Sequence, residues 1–307
     1  MADDPLHPSH LFGHVQDAKH IEVPRWFPGA EEGKIKLPQP LNGSGEPIVL
    51  IKTGFEPLDE IIQPVNLQLT KFMVLEVVAA VVIAFLFIRL ANRLRDADRP
   101  RGVVANLLEA MVVFIREQVA RPAIGKSDAD RFVPFLLTMF FFVLACNLLG
   151  MLPWCGSPTG ALGTTGALAM ITFVTVVGAG VRKFGPIGYW KSLVPHMDLP
   201  GILGILLKPM IFLIEVLGLL IKHFVLAVRL LANMMAGHLV LAVIVAFVAA
   251  SFTVHHSYTS PLWVGVTVAS IFGALALSLL ELFVAFLQAF IFVFLSALFI
   301  GMTVHPH

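Results

Sequence analysis

Residues 202–250 read ILGILLKPMIFLIEVLGLLIKHFVLAVRLLANMMAGHLVLAVIVAFVAA, and residues 262–301 read LWVGVTVASIFGALALSLLELFVAFLQAFIFVFLSALFIG. An upright helix crosses a bilayer with roughly 20 apolar residues, and each of these runs is far longer. The first therefore holds either two segments or one long, strongly tilted helix. Only the short polar turn HHSYTSP, from His255 to Pro261, separates the two. Two matched apolar stretches joined in this way predict an antiparallel helical hairpin.

The rest of the chain fits a membrane protein. Of its 307 residues 57% are hydrophobic and 13% charged, with a mean hydropathy of +0.86. Soluble domains carry about 25% charged residues, so a disordered protein, a coiled coil and most soluble enzymes are excluded. A net charge of +1 argues against a nucleic-acid binder. Two cysteines, Cys146 and Cys155, are too few for a disulfide framework or a thiolate metal site; they could pair with each other, but read better as two small apolar residues.

Working outward from the hairpin, Phe132 to Leu152 forms one span ending at a Pro153 turn. Another starts near Ala161 with small residues (GALGTTGALAM) that allow close helix packing, and ends at Arg182 and Lys183. A loop with Gly185, Pro186, Pro195 and Pro200 follows. Nearer the N-terminus, Phe72 to Ile88 is apolar and broken only by Glu76. Between Val104 and Ala120, apolar residues recur at Val104, Leu107, Leu108, Met111, Ile115 and Val119 with charges elsewhere, the pattern of a helix lying along the interface. The expected architecture is an all-α polytopic membrane protein: five membrane-crossing helices, one interfacial amphipathic helix, and the last two crossing helices long and tilted as the hairpin.

Residues 1–69 read as an extramembrane N-terminal arm and residues 70–307 as the membrane domain. The arm carries ten acidic residues, five Lys or Arg, and His7, His10, His14 and His20 at irregular spacings, the pattern of a solvated tail with little independent fold rather than a metal site. It has no apolar secretory core, so the membrane address is expected in the spans themselves. The segments Arg89–Arg131 and Arg182–Lys191 contain nine and three Lys or Arg, whereas Pro153–Gly160 and Ser251–Ser260 contain none. This asymmetry predicts basic loops and C-terminus in the cytoplasm and the arm outside. No phosphate-cradling glycine loop, nucleophile triad or metal-ligand cluster is found, so no cofactor and no metal are expected.

Function is most legible in the charges that fall within apolar spans, because ionisable groups at membrane depth cost several kcal/mol each. Lys208, Glu215, Lys222 and Arg229 stand seven residues apart, nearly two helical turns, and so lie along one slowly drifting stripe that reads as the lining of a water-filled path. Lys208 also lies where it could snorkel to the cytoplasmic edge, and Glu215 and Lys222 could simply pair. Arg229 sits far from either interface. It stays charged at any ordinary pH, so it can hold a fixed potential but not relay protons. Asn233, one turn on, can hydrogen-bond beside it. If the turn centres near Tyr258 or Thr259, Arg229 lies level with Gln288 and His238 with Glu281. Depth says nothing of facing, and on an ideal helix Arg229 and His238, nine residues apart, point in opposite directions. His238 with Glu281 is a plausible proton-exchange pair.

These residues resemble the subunit a family of F-type ATP synthases. RLLANMMAGH (Arg229–His238) is similar to that family's arginine helix and LQAFIF (Leu287–Phe292) to its last helix. CNLLGMLP (Cys146–Pro153) and PTGALGTTGALA (Pro158–Ala169) resemble its middle spans, and Glu215 falls where the family has an acidic residue. The resemblance covers about residues 70 to 303. It implies a stator subunit carrying two offset half-channels for protons beside a rotating ring of c subunits, each with a membrane-embedded carboxylate. It also implies b subunits of the peripheral stalk and an F1 sector as further partners, ATP synthesis by the whole complex, and no catalysis by this chain alone. In that frame Arg229 faces the ring and forces each arriving carboxylate to ionise, with Asn233 and Gln288 positioning it. His238 and Glu281 belong to the outer half-channel, Asn147 stands at its mouth, and Glu215 and Lys222 line the inner one. The location implied is a bacterial inner membrane, with proton the default ion.

The chain departs from the commoner bacterial pattern in three places. His238 and Glu281 are exchanged relative to many bacterial relatives, as in mitochondrial ones, which keeps an acid and a base at one depth. Gly150 stands where some relatives carry an acid, and Ala232 replaces a frequent glycine. A secondary transporter working alone would call for a midplane substrate site, often with a repeat, and no internal repeat is visible. A scaffold has no need of a mid-membrane arginine with level polar partners. The discriminating property is dependence on a partner ring for conduction.

Overall fold

The computed structural model describes residues 17–18, 20–22, 34–39, 69–95, 102–152, 155–193, 201–255 and 261–305. His7, His10 and His14, Pro153 and the tip of the hairpin turn lie outside the described residues.

Among the described residues, five helices are long and apolar enough to cross a membrane. In hydrocarbon a backbone must satisfy its own hydrogen bonds, which is why these apolar runs are helical throughout. The first, α1, is Lys71–Arg95. The interfacial element is helical over 103–124 in three joined pieces: α2 (Val103–Phe114), a wider π-helical turn over Ile115–Ala120, and α3 (Arg121–Ile124). The crossing helices α4 (Ala129–Gly150) and α5 (Leu162–Phe184) follow, joined through the 3-10 turn Pro158–Gly160. A short helix, α6 (Pro186–Ser192), stands in the Pro- and Gly-rich loop where the sequence gives no helical period, and Tyr189 packs it against Gly180 of α5.

The two long runs are single helices, α7 (Gly201–His255) and α8 (Pro261–Val304), packed on one another. At 1.5 Å per residue α7 extends about 80 Å, so a hydrocarbon core of about 30 Å forces it to tilt steeply. Helix α8 also packs on α3, α4 and α5, while α5 packs on α7 and α1 on α4. The shared core contains Ile115, Val119, Leu136, Phe140, Leu226, Leu230, Phe292 and Ile300.

The interfacial helix turns inward much of the face its apolar residues outline. Leu108, Ile115 and Val119 are buried, with Met111 half-buried, whereas Val104 and Leu107 are 60% and 58% exposed and Ala105 is buried in their place. The helix widens into a π turn over Ile115–Ala120.

Helices in lipid gain little from apolar contact alone and rely on close approach at small residues. Gly301 of α8 lies so near the carbonyl of Ala123 that no side chain fits there, and Gly150 of α4 lies against Ser157, whose Cβ would be 2.5 Å from any Cβ added. The second contact also leaves no room for an acid at position 150. Cys146 and Cys155 are free thiols.

The described parts of the arm form a two-stranded antiparallel ribbon, β1 (His20–Glu22) with β2 (Lys34–Lys36), Ile21 opposite Ile35. The arm also ties down the start of α1. The backbone N–H of Lys71 donates to the carbonyl of Ala18 at 2.9 Å, that of Phe72 to Asp17 Oδ1 at 3.3 Å, and the Gln39 side-chain amide makes two 2.9 Å bonds with the backbone of Leu69. These bonds satisfy helix-start donors that would otherwise lack partners near a membrane edge.

On the side carrying the basic loops, ion pairs lie within the interfacial helix and between it and the bundle. Arg116 grips Asp130 through two bonds of 2.8 and 2.9 Å, Arg121 pairs with Glu117 at 2.7 Å, and Lys183 donates to Asp128 at 2.9 Å. The Lys183 hydrogen bond holds the Asp128 carboxyl below its ordinary value.

Candidate functional site: a polar pair inside the hairpin and an unpaired arginine on its face

Helix α7 divides its polar residues by phase. His223, Leu226, Ala227, Leu230 and Met234 form a buried stripe at helical spacing. Lys208, Glu215, Lys222 and Arg229 are all exposed, so the seven-residue stripe runs along the side of α7 turned away from the bundle. No ion pair joins Glu215 to Lys222, and Arg229 has neither ion pair nor hydrogen bond among the described residues. Around Arg229 the surface is apolar: Val225 and Val228 on α7, and Phe283, Phe286 and Leu287 on α8, are all more than a third exposed. An unpaired guanidinium in such surroundings is costly in hydrocarbon unless something outside the chain supplies an acid or water.

A little further along α7, His238 turns into the hairpin. Its Nδ1 lies 3.7 Å from Glu281 Oε1 of α8, and the two side chains are 18% and 10% exposed. This is an ion-pair distance, too long for a direct hydrogen bond, and His238 Nε2 and Glu281 Oε1 have no hydrogen-bond partner among the described residues. Water or a migrating proton therefore has open valences to meet. A pocket of about 210 Å³ adjoins the pair, lined by Asn233, Gly237 and Glu281 among apolar residues. Gly237 makes room for the carboxylate, since a Cβ there would stand 2.8 Å from Glu281 Oε1.

Gln288 is buried at 5% exposure, its Nε2 without a partner among the described residues, and it makes no hydrogen bond to Arg229. Asn233 lines the pocket beside Glu281. Asn147 is fully buried where α4 meets α8. Its amide donates to the carbonyl of Ala285 at 3.1 Å, one turn from Glu281, and its oxygen accepts from Thr159 at 2.7 Å, which lies 2.8 Å from Ser157. The hairpin thus brings His238, Glu281 and Asn233 together, with Asn147 one turn away, and leaves Arg229, Glu215 and Lys222 on an outer face.

Comparison with known proteins fixes the family. A sequence model of the ATP synthase A chain family matches residues 73–301, which include every one of these side chains. The chain belongs to that family. It is 43% identical over 245 residues to ATP synthase subunit a of Myxococcus xanthus, covering 79% of this chain and 76% of that one. It is 37% identical over 242 residues to the Chloroherpeton thalassium subunit a, covering 78% and 67%, and 37% identical over 260 residues to subunit a 2 of Chlorobaculum tepidum, covering 81% and 68%. The family match begins at the third residue of α1, so the arm lies outside it.

Three residues of the site carry no signal in a depth argument. Gly237 is visible only as a small residue beside His238. Ser157 and Thr159 sit in a turn whose hydrogen bonds depend on α4 lying next to it. A search for polar residues at the mouth of each span pair would have found the last two.

Proposed function

We propose that this chain is the stator subunit of the F0 proton channel of ATP synthase, with Arg229 as the fixed charge between two half-channels and His238 and Glu281 as the proton-exchanging pair of the outer one. The observation that carries the reading is the division on α7: an unpaired arginine on the exposed face, and nine residues on a histidine turned inward to within 3.7 Å of a carboxylate. A group that must meet a partner's carboxylate has to be exposed and unpaired, and a pair that passes protons needs an acid and a base close together with open valences.

In the mechanism this supports, a proton reaches Glu281 and His238 from the outer side, past Asn147. It then crosses the pocket by Asn233 to a carboxylate on a neighbouring rotating subunit. Arg229, unable to release its own proton, holds the carboxylate that faces it ionised and so blocks direct passage to the other side. Glu215 and Lys222, on the same exposed stripe four and two turns away, line the inner path. Gln288, inside the hairpin, supports the packing beneath Arg229. Each proton that crosses releases about 2.3 kcal/mol per 100 mV, which a leak past Arg229 would dissipate.

The chain is a multi-pass membrane protein that works within the ATP synthase complex and is not catalytic alone. The partner at the exposed face is a ring of c subunits, with b subunits and the F1 sector completing the stator and the catalytic head. The basic loops lie in the cytoplasm and the arm on the periplasmic side of a bacterial inner membrane.

Inverted vesicles carrying the parent chain or Arg229→Ala test this through ATP-driven acidification reported by a pH-sensitive dye. Loss of acidification with the complex still assembled on the membrane is expected. Acidification at the parent rate would contradict the reading.

A further inference from the structure

The first crossing helix holds a carboxylate that the site above does not use. On α1, Phe72 and Ala79 are buried at 2% and 0% exposure, while Met73, Val77 and Val78 face outward. Glu76, four residues after Phe72 and three before Ala79, lies on the buried side, so its side chain points at the protein and not at lipid. Its Oε1 accepts a 2.6 Å hydrogen bond from the Thr164 hydroxyl at the start of α5. A half-buried carboxylate at this depth is a costly way to hold two helices together when an apolar contact would serve.

The surroundings of Glu76 lead toward the pair in the hairpin. Helix α1 packs on α4 and on the turn Pro158–Gly160, whose Thr159 bonds to Asn147. Asn147 in turn bonds to α8 one turn from Glu281. On α1 itself, Lys71 is buried with its ammonium close to Gly156. Through the Pro158 turn the first helix thus adjoins the hydrogen bonds that lead to the hairpin site.

We infer that Glu76, held by Thr164, is the proton-collecting carboxylate at the outer mouth of the half-channel, handing protons by way of water past Asn147 to Glu281 and His238. The step is a pair of proton transfers: an O–H bond of hydronium breaks as the Glu76 O–H forms, and that bond breaks again as the proton passes to an inner water. In the pumping direction the same transfers run in reverse. This rests on the channel reading above.

The test compares initial rates of ATP-driven acidification in inverted vesicles bearing the whole complex, with complex content fixed by ATPase activity. Glu76→Gln keeps the shape and still accepts the Thr164 hydroxyl, but carries no proton. Thr164→Val removes the hydrogen bond and keeps the acid. Glu76→Gln is expected to slow acidification about tenfold, Glu76→Asp to stay within about threefold of the parent, and Thr164→Val to lose less than Glu76→Gln. A parent-like rate in Glu76→Gln would overturn the inference, as would a loss in Glu76→Asp as large as in Glu76→Gln, or a larger loss in Thr164→Val than in Glu76→Gln. Glu281→Gln serves as the reference: if it blocks acidification while Glu76→Gln does not, the channel reading stands and this inference fails. If Glu281→Gln also acidifies normally, the channel reading fails first.

Discussion

Arginines occur in two settings in this molecule. On the side of the basic loops, Arg116 and Arg121 meet Asp130 and Glu117 within 2.9 Å, the first pair binding the interfacial helix to the bundle and the second bracing the helix itself. In the middle of α7, Arg229 meets no acid among the described residues. Where an arginine serves structure, the fold supplies its partner. Where it is left unpaired on an exposed face at membrane depth, the proposed channel brings it a carboxylate of another subunit. The same division separates the two polar sets of the hairpin: His238 and Glu281 are turned toward each other, and Arg229, Glu215 and Lys222 are turned away.

The largest effect that could break this comparison is at Arg229. Arg229→Ala should abolish ATP-driven acidification, and Arg229→Lys should restore little, because an ammonium lacks the planar two-pronged donor set of a guanidinium. Next comes the inner pair. Glu281→Gln or His238→Ala should slow acidification at least about a hundredfold, the loss typical of removing a positioned acid or base. The double change His238→Glu with Glu281→His keeps one acid and one base in contact and should retain more activity than either single change.

How much of this was visible beforehand depends on the kind of constraint. Crossing helices are decided by apolar length, so the five spans and the hairpin are legible without coordinates. Depth along the hairpin follows from counting residues back from the turn, and His238 and Glu281 do meet. Facing does not follow from depth. Gln288 lies level with Arg229 by the same count, yet it turns into the core. The π-helical turn at Ile115–Ala120 and the burial of Ala105 in place of Val104 come from packing against neighbouring elements, which no local period encodes. Helix α6 was hidden because its loop is rich in Pro and Gly, although Pro186 suits a first helical position.

Smaller effects sharpen the comparison. Gly237→Ala places a methyl group 2.8 Å from Glu281 Oε1, so the carboxylate must swing aside. Acidification should fall roughly tenfold, equivalent to about 1.4 kcal/mol in the barrier, with assembly of the complex unchanged. The ion pairs at the interfacial helix should matter least. Arg116→Ala should leave acidification within about twofold of the parent and shift thermal unfolding by only about one or two degrees, since exposed pairs contribute little. Lys183 holds Asp128 below its ordinary carboxylate value, so whatever this contact contributes is present above about pH 4 and is lost as pH falls through the lowered value. Thermal unfolding of the parent and Asp128→Asn should therefore differ slightly at neutral pH and converge in acid.

The most direct test of the central claim asks what stands against the exposed face of α7. With Cys146 and Cys155 replaced by alanine, single cysteines are placed at Val225 and Ala232, beside Arg229 on the exposed face, and at Leu226 and Leu230 on the buried stripe. Each is paired with a cysteine next to the membrane carboxylate of the ring subunit. Oxidation should link positions 225 and 232 to the ring and leave 226 and 230 unlinked. Links from the buried positions, with none from 225 or 232, would contradict the assignment of Arg229 to the ring-facing side.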